Sequence, residues 1–248
     1  MKPNLHILRW PASISAPIDA PAMPLQPKKS GGAHPLGHRA RAGDEIARLV
    51  QRVFIFPETP SQARAVVFCG VDEGAGCSSV CARAGEMLAE RVPGTVCVID
   101  ANLRSPSLHE YFSVELGTGF ADFVRDPAPA GEFTRATSSK HLHVMTAGAV
   151  GKDSNGALNP ARLRARLSEL RAEFDYLLID TPPANSYPDA ILLGQLADGV
   201  ILIVGSNSTR RESARTTKES LAAAKVPILG AVLNMRTYPI PEALYQRL

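Results

Sequence analysis

The sequence lacks any apolar run of the roughly 20 residues that a membrane-spanning helix needs. It also lacks a secretory apolar core, because prolines such as Pro11, Pro17 and Pro21 interrupt the N-terminus. The 4 cysteines show no CxxC spacing, which argues against zinc and favours a reducing compartment. The formal net charge of +3 is too small to indicate a nucleic-acid partner. We therefore expect a soluble, cytoplasmic protein that reaches the inner face of a membrane only through a partner.

Three regions differ in composition. Residues 1–42 are basic and rich in proline, which predicts a disordered tail. Within this tail Trp10, the single tryptophan, is either an incidental apolar residue or a docking anchor. Residues 43–236 have the apolar content of one sizeable domain, and residues 237–248 form a short C-terminal tail.

Apolar runs alternate with helical patterns along the domain. Runs at 63–70, 95–100, 142–148, 175–180, 199–205 and 227–234 predict strands, and patterns at 44–54, 77–91, 160–173, 188–196 and 210–225 predict helices. Continuously apolar strands alternating with helices indicate an α/β fold with a mostly parallel sheet covered on both faces. We expect a three-layer sandwich, with ligands bound where the strands end.

A glycine-rich turn, "VDEGAGCSS", follows the first of these strands and leads into a helix. Such a turn wraps its backbone around phosphate groups, and the free N–H groups of the helix favour an anion. The predicted nucleotide-binding residues here are Gly74, Ala75, Gly76, Cys77, Ser78 and Ser79. The Ser78 hydroxyl stands where such loops hold Mg²⁺.

Cys77 occupies the position of the lysine that normally pairs with the β- and γ-phosphates. Losing one charge-assisted hydrogen bond should weaken triphosphate binding by roughly ten- to a hundredfold. The cysteine has two interpretations. In the first, Cys77 is a redox switch, because a thiol at a helix N-terminus can have a lowered pKa. In the second, Cys77 is a small residue that was tolerated after the lysine was lost.

Other polar residues come where later strands end. Asp100 and Asp180 are candidate catalytic acids, and Asp180 is also a candidate Mg²⁺ ligand; the alternative for each is a helix cap or turn former. After the last strand, Asn234 is placed to bond an adenine edge and Arg236 to lie over its face.

Two of these stretches resemble family motifs. "VIDANLRSPSLHEYF" is similar to IDxDxRxPxxH, and "LLIDTPPANSYPDA" is similar to IDTPP followed by DA. With the phosphate loop, they resemble the bacterial tyrosine kinases of capsule and exopolysaccharide synthesis. That family lies within the P-loop ATPases with deviant Walker motifs, which include partition and division-site ATPases. The resemblance runs from about residue 43 to 236.

The resemblance implies ATP or ADP with Mg²⁺ as cofactors, and Asp100 near the attacked phosphate. It implies Asp180 and Ser78 at the metal, and Asn234 at the adenine. It further implies a membrane-embedded polysaccharide copolymerase or export partner. Homo-oligomers would assemble through ExxRxxR, which Glu45 and Arg48 match.

Several positions depart from the family pattern. Cys77 replaces the loop lysine, Asn102 replaces the second acid of IDxD, and Gln51 replaces the next arginine of ExxRxxR. A C-terminal tyrosine cluster is missing, since only Tyr238 and Tyr245 lie near the end.

Three hypotheses follow from these departures. The first is a degenerate kinase that acts through an export partner. The second is an active tyrosine kinase or ATPase in which an arginine, such as Arg104, replaces the lysine. The third is a positioning ATPase like the partition and division-site proteins.

Overall fold

The computed structural model describes residues 6–8, 45–56, 63–148 and 159–235. Its centre is an eight-stranded sheet in the order β1-β8-β7-β2-β6-β3-β5-β4. The strands are β1 His6–Leu8, β2 Ala65–Gly70, β3 Val96–Asp100, β4 Arg135–Ala136, β5 Leu142–Met145, β6 Tyr176–Thr181, β7 Gly199–Gly205 and β8 Ile228–Asn234. The six central strands run parallel, and β1 and β4 pair antiparallel at the two edges.

Helices cover both faces of the sheet. They are α1 at 45–50, α2 Cys77–Ala89, α3 Leu108–Phe112, α4 Phe120–Arg125, α5 Pro160–Glu173, α6 Asp189–Gly194 and α7 Arg211–Ala223. Helix α1 continues into a π-helical turn, Gln51–Ile55, and a 3₁₀ turn spans Ala130–Glu132. At the start of α5, the Asn159 side chain accepts hydrogen bonds from the first-turn N–H groups and fixes where the helix begins.

Strand β2 shows why the apolar runs form buried parallel strands. Val66 and Phe68 pack into one core cluster with α1 and α2, while Val67 and Cys69 pack into the other, with α4 and α5. Every residue of β2 is buried. Because both faces are covered, the strand is apolar throughout instead of alternating.

The predicted α/β sandwich with a mostly parallel sheet is confirmed. All six predicted strands and all five predicted helices are present, with ends shifted by a few residues. Helices α3 and α4 and strand β4 were not predicted. They have five, six and two residues, too few for a period to show in the sequence.

The N-terminal region differs from the prediction in one place. Residues 6–8, expected to be disordered, form β1 and pair with β8. The apolar residues of "HIL" fit an edge strand, although the surrounding composition does not. The rest of the predicted tail and residues 237–248 lie outside the described residues.

Among the described residues, none of the helices combines the length and the apolar character needed to cross a bilayer.

Candidate functional site

The phosphate loop joins β2 to α2 at the end of the sheet where the parallel strands finish. The Val71 N–H donates to the Ile203 carbonyl of β7, at 3.0 Å, and so prolongs the strand pairing into the loop. Gly74 and Gly76 then adopt left-handed backbone conformations, with φ of 72° and 77°. Glycine adopts these angles without strain. The loop therefore has a turn of the kind that presents N–H groups to an anion.

The end of β8 supports this loop. The buried Asn234 side chain donates through Nδ2 to the Ala75 carbonyl at 2.8 Å, and its Oδ1 accepts the Met235 N–H at 2.9 Å. A Cβ added to Gly76 would lie 2.5 Å from Asn234 Nδ2. Asn234 is therefore fully buried and positions the loop, and its contact with an adenine stays a prediction.

A hydrogen-bond relay, defined here as Asp72, Asn185 and Thr217, connects the loop to α7. Asn185 Nδ2 donates to Asp72 Oδ1 at 3.0 Å, and Thr217 Oγ1 lies 2.6 Å from Asn185 Oδ1, to which it donates. The backbone also joins the two loops, because the Ala184 N–H donates to the Gly70 carbonyl at 2.9 Å. The relay holds the Asp72 carboxylate against the loop that follows β6.

Asp100 and Asp180 lie side by side, because they are register partners at the ends of β3 and β6. Asp100 accepts N–H groups from Asn102 at 3.2 Å, Ser107 at 3.0 Å and Leu108 at 3.1 Å. Burial raises the pKa of Asp100 to about 6, although these bonds oppose the rise. Asp100 thus holds the loop that follows β3 and also lies beside Asp180.

Asp180 is buried, and neither of its carboxylate oxygens has a hydrogen-bond partner among the described residues. Burial, followed by the negative charge of Asp100, raises the pKa of Asp180 to about 7. Ser78 and Cys77 lie close enough to oppose this rise, but not in bonding geometry. A buried carboxylate without partners is costly unless a proton or a cation neutralises it.

The Cys77 thiol faces this carboxylate. Desolvation, followed by the charge of Asp180, raises the pKa of Cys77 well above its ordinary value. The prediction of a lowered pKa at Cys77 is therefore wrong, because desolvation and the neighbouring acid outweigh the helix N-terminus. Cys69 and Cys81 are buried nearby, and their pKa values are raised by the same causes.

The donors at this edge fit a nucleotide-bound Mg²⁺. Such an ion is usually held by one or two carboxylates together with phosphate oxygens and water. The Ser78 hydroxyl and the unpartnered Asp180 carboxylate would supply oxygen ligands of this kind. Within the described ranges no group of three or more His, Cys, Asp or Glu side chains is placed to hold a metal ion alone.

Arg104, the proposed substitute for the lysine, lies on the loop after β3. Its guanidinium stacks over the Tyr187 ring at 3.8 Å and approaches Asp189 at 3.9 Å. These contacts direct the arginine toward the loop after β6, which does not favour the hypothesis that it replaces the lysine. Arg236 lies outside the described residues.

The sequence prediction missed Tyr111. Its hydroxyl lies 3.0 Å from the Ser79 hydroxyl in the first turn of α2, and the residue is 43% exposed. Its place in "SLHEYF", directly after the IDxDxRxP stretch, was the only available signal. The relay residues Asn185 and Thr217 had no signal, because their partners are distant in sequence.

Glu45 and Arg48 lie one turn apart on α1. Their side chains pair at 3.4 Å, and Arg48 is largely exposed. Exposed pairs of this kind contribute little to stability. The arginine therefore remains accessible on the surface.

No protein-family model matches the chain. Individual proteins do. The tyrosine-protein kinase YwqD of Bacillus subtilis is 30% identical over 190 residues, which cover 77% of this chain and 80% of that protein. The putative tyrosine-protein kinase CapB of Staphylococcus aureus is 25% identical over 55% of this chain, a stretch that spans 60% of CapB.

Solved structures show the same fold. The kinase domain of the Escherichia coli tyrosine kinase ETK matches 81% of this chain and 79% of its own length, with a TM-score of 0.73 and 21% identity. The septum site-determining protein MinD of Pyrococcus horikoshii, solved with Mg-ADP, matches 68% of each chain, with a TM-score of 0.58 and 20% identity.

Proposed function

The chain belongs to the bacterial tyrosine kinase family of capsular and exopolysaccharide biosynthesis, and we propose that it is a degenerate member with little or no phosphoryl-transfer activity. The observation that carries this proposal is the buried, unpartnered Asp180 carboxylate beside Cys77. The loop from residue 70 to 79 contains no lysine or arginine. The site thus keeps the carboxylates of Asp100 and Asp180 without a cation on the phosphate loop.

The raised pKa of Asp180 is consistent with this missing charge. A lysine at position 77 would place a cation beside the carboxylate and lower its pKa. With a cysteine there, burial and Asp100 dominate and raise it. Phosphoryl transfer depends mainly on positioning and on stabilising negative charge. Mg²⁺ nucleotide should therefore bind weakly, and transfer should be impaired more than binding.

We further propose that the protein acts as an interaction module with a membrane-embedded partner of polysaccharide export. Family membership supports this partner, and so does the basic N-terminal segment with Trp10. Homo-oligomers would use α1, where Arg48 is exposed. The Mg²⁺ nucleotide would be a ligand that stabilises the module.

The test compares thermal unfolding of the wild type, Cys77→Lys and Cys77→Met with Mg²⁺·ATP and Mg²⁺·ADP. At 100 times its Kd, a ligand stabilises by about 2.7 kcal/mol. If that Kd is the one of Cys77→Lys, a wild type that binds the nucleotide ten- to a hundredfold more weakly would gain only about 0.4–1.4 kcal/mol at the same concentration. Methionine is an unbranched side chain nearly as long as lysine but without its charge, so Cys77→Met should behave like the wild type.

A turnover assay decides the catalytic part of the proposal. We expect no steady ATP hydrolysis or self-phosphorylation by the purified wild type. Steady turnover that Asp100→Ala abolishes would overturn the proposal and favour an active kinase. Equal stabilisation of the wild type and Cys77→Lys by nucleotide would show that the missing lysine does not limit binding.

A further inference from the structure

The outer edge of β8 is covered by a strand from the far N-terminus. The inner edge of β8 pairs parallel with β7, and its outer edge pairs antiparallel with His6–Leu8. Ile7 is the register partner of Val232, and its two neighbours pair with Ala231 and Leu233. Within the described residues, no strand pairs with the outer edge of 228–230. The cover is therefore short and borders open backbone.

The covered part of β8 lies directly before the residue that holds the phosphate loop. Leu233 is the last residue paired with β1, and Asn234 follows it. The Asn234 side chain bonds the Ala75 carbonyl, and its own carbonyl accepts the Ser206 N–H at 2.7 Å. A displacement of β8 at Leu233 would therefore move the only side chain that is seen to hold Ala75 among the described residues.

We propose that the outer edge of β8 is a strand-docking surface, that its occupant is the chain's own segment His6–Leu8, and that docking orders the phosphate loop through Asn234. Edge strands present unpaired N–H and C=O groups that accept an added strand. The docked segment supplies those partners. Docking needs no bound nucleotide, so it can be tested whether or not nucleotide binds.

The occupant comes from the same molecule. Roughly 35 residues separate Leu8 from the start of α1, and an extended chain covers about 3.3 Å per residue. That length spans a domain of this size. A tether within one chain gives an effective concentration on the order of millimolar, which exceeds the micromolar concentrations of ordinary solution work. A second copy is therefore outcompeted.

Hydrogen exchange on full-length proline variants tests the docking. Register partners in an antiparallel ladder alternate between hydrogen-bonded and non-hydrogen-bonded pairs, so only one of Ile7 and Leu8 donates its N–H to β8. Of the variants Ile7→Pro and Leu8→Pro, the one at that position removes the hydrogen bond, and the other does not. We expect one of them to speed amide exchange at 231–233 about tenfold, from the loss of about one hydrogen bond and the strand pairing around it. Ser13→Pro is the control in the same segment and should change nothing.

The same data test the connection to the loop. The variant that frees β8 should also speed exchange at residues 74–77 severalfold, and Asn234→Ala should do so while leaving 231–233 protected. Unchanged exchange in both proline variants would overturn the docking. Faster exchange at 231–233 with unchanged exchange at 74–77 would overturn the coupling between β8 and the phosphate loop. Protection at 231–233 that falls on dilution would mean that a second copy supplies the strand, and would overturn the intramolecular form.

Discussion

Carboxylates at the two ends of the central sheet differ in their hydrogen bonding and in the direction of their pKa shifts. At the amino end, Asp198 accepts the N–H groups of Arg64 at 2.7 Å and Ala65 at 2.8 Å, and pairs with Arg171 at 2.9 Å. Burial alone would raise the pKa of Asp198, but the bonds from Ala65, Arg171 and Arg64 lower it. This carboxylate is charged, bonded and structural.

At the carboxyl end, Asp180 is more deeply buried and has no such partners. Its pKa moves the other way, to about 7, because burial and the charge of Asp100 raise it. Native proteins rarely leave a buried polar group unpaired unless the site serves a ligand. The contrast therefore separates an end that stabilises the fold from an end that retains the chemistry of a binding site.

The largest expected effect lies at the amino end. Asp198→Ala removes the acceptor for two backbone N–H groups and for Arg171. We expect a loss of about 2–3 kcal/mol in the free energy of unfolding, measured by urea denaturation at pH 7. Asp198→Asn keeps one acceptor oxygen and should lose less. A loss below about 0.5 kcal/mol for the alanine variant would show that water replaces these bonds.

Asp180→Asn should raise the free energy of unfolding at neutral and higher pH, whereas Asp198→Ala lowers it. The folded pKa of about 7 lies above the unfolded value of 3.8. The associated stability is fully present below about pH 3.8 and is lost as the pH rises through about 7. Relative to the wild type, the variant should therefore gain about 2–3 kcal/mol in the free energy of unfolding between pH 5 and pH 8.

Asp100→Asn is the control for that pH series. Asp100 accepts three backbone N–H groups, and asparagine cannot replace them all. This variant should show no net gain at pH 8. An Asp180→Asn protein whose stability relative to the wild type does not change between pH 5 and 8 would contradict the raised pKa.

Gly76→Ala tests how closely the loop approaches β8. The substitution places a methyl group against the Asn234 amide and in a left-handed conformation. We expect a loss of about 1–2 kcal/mol in thermal unfolding. Gly230→Ala is the matched control, since a Cβ there meets nothing within 4 Å. Equal effects of the two alanines would mean that the loop is looser than the structure indicates.

The smallest expected effect concerns the relay. Thr217→Val removes the hydroxyl that donates to Asn185 and should cost about 1 kcal/mol, measured by urea denaturation. Thr217→Ser keeps the hydroxyl and should cost less. In an Asp72→Asn background the penalty should change, because the relay acts as a unit. Strict additivity would show that Asp72 and Thr217 are independent.

The sequence predicted the sheet well because its central strands are buried on both faces. "GVILIVG" is apolar throughout, which leaves little alternative to a strand inside a parallel sheet. The strand ends followed from that prediction, and with them the placement of Asp100 and Asp180 next to the phosphate loop. Their roles at a bound nucleotide stay predictions.

What the sequence did not predict depends on contacts between distant residues. Asn234 has the residue type of an adenine contact, but its burial and its bond to Ala75 depend on how β8 meets the loop. The raised pKa of Cys77 likewise depends on desolvation in the folded chain and then on Asp180, about a hundred positions away. A local rule for helix N-termini gave the wrong direction there. Pairing of His6–Leu8 with β8 is also a long-range property.

The short antiparallel strand at the β8 edge bears on how this protein should be prepared. A version trimmed to begin at residue 43 would lack His6–Leu8 and would present the outer edge of β8 to solvent. Bare edges of this kind promote self-association. Trimmed molecules would then be prone to join edge to edge in concentrated solution, extending one sheet across two copies. A dimer of trimmed molecules that is joined through this edge of β8 would then be a consequence of the cut, unlike an oligomer assembled through α1.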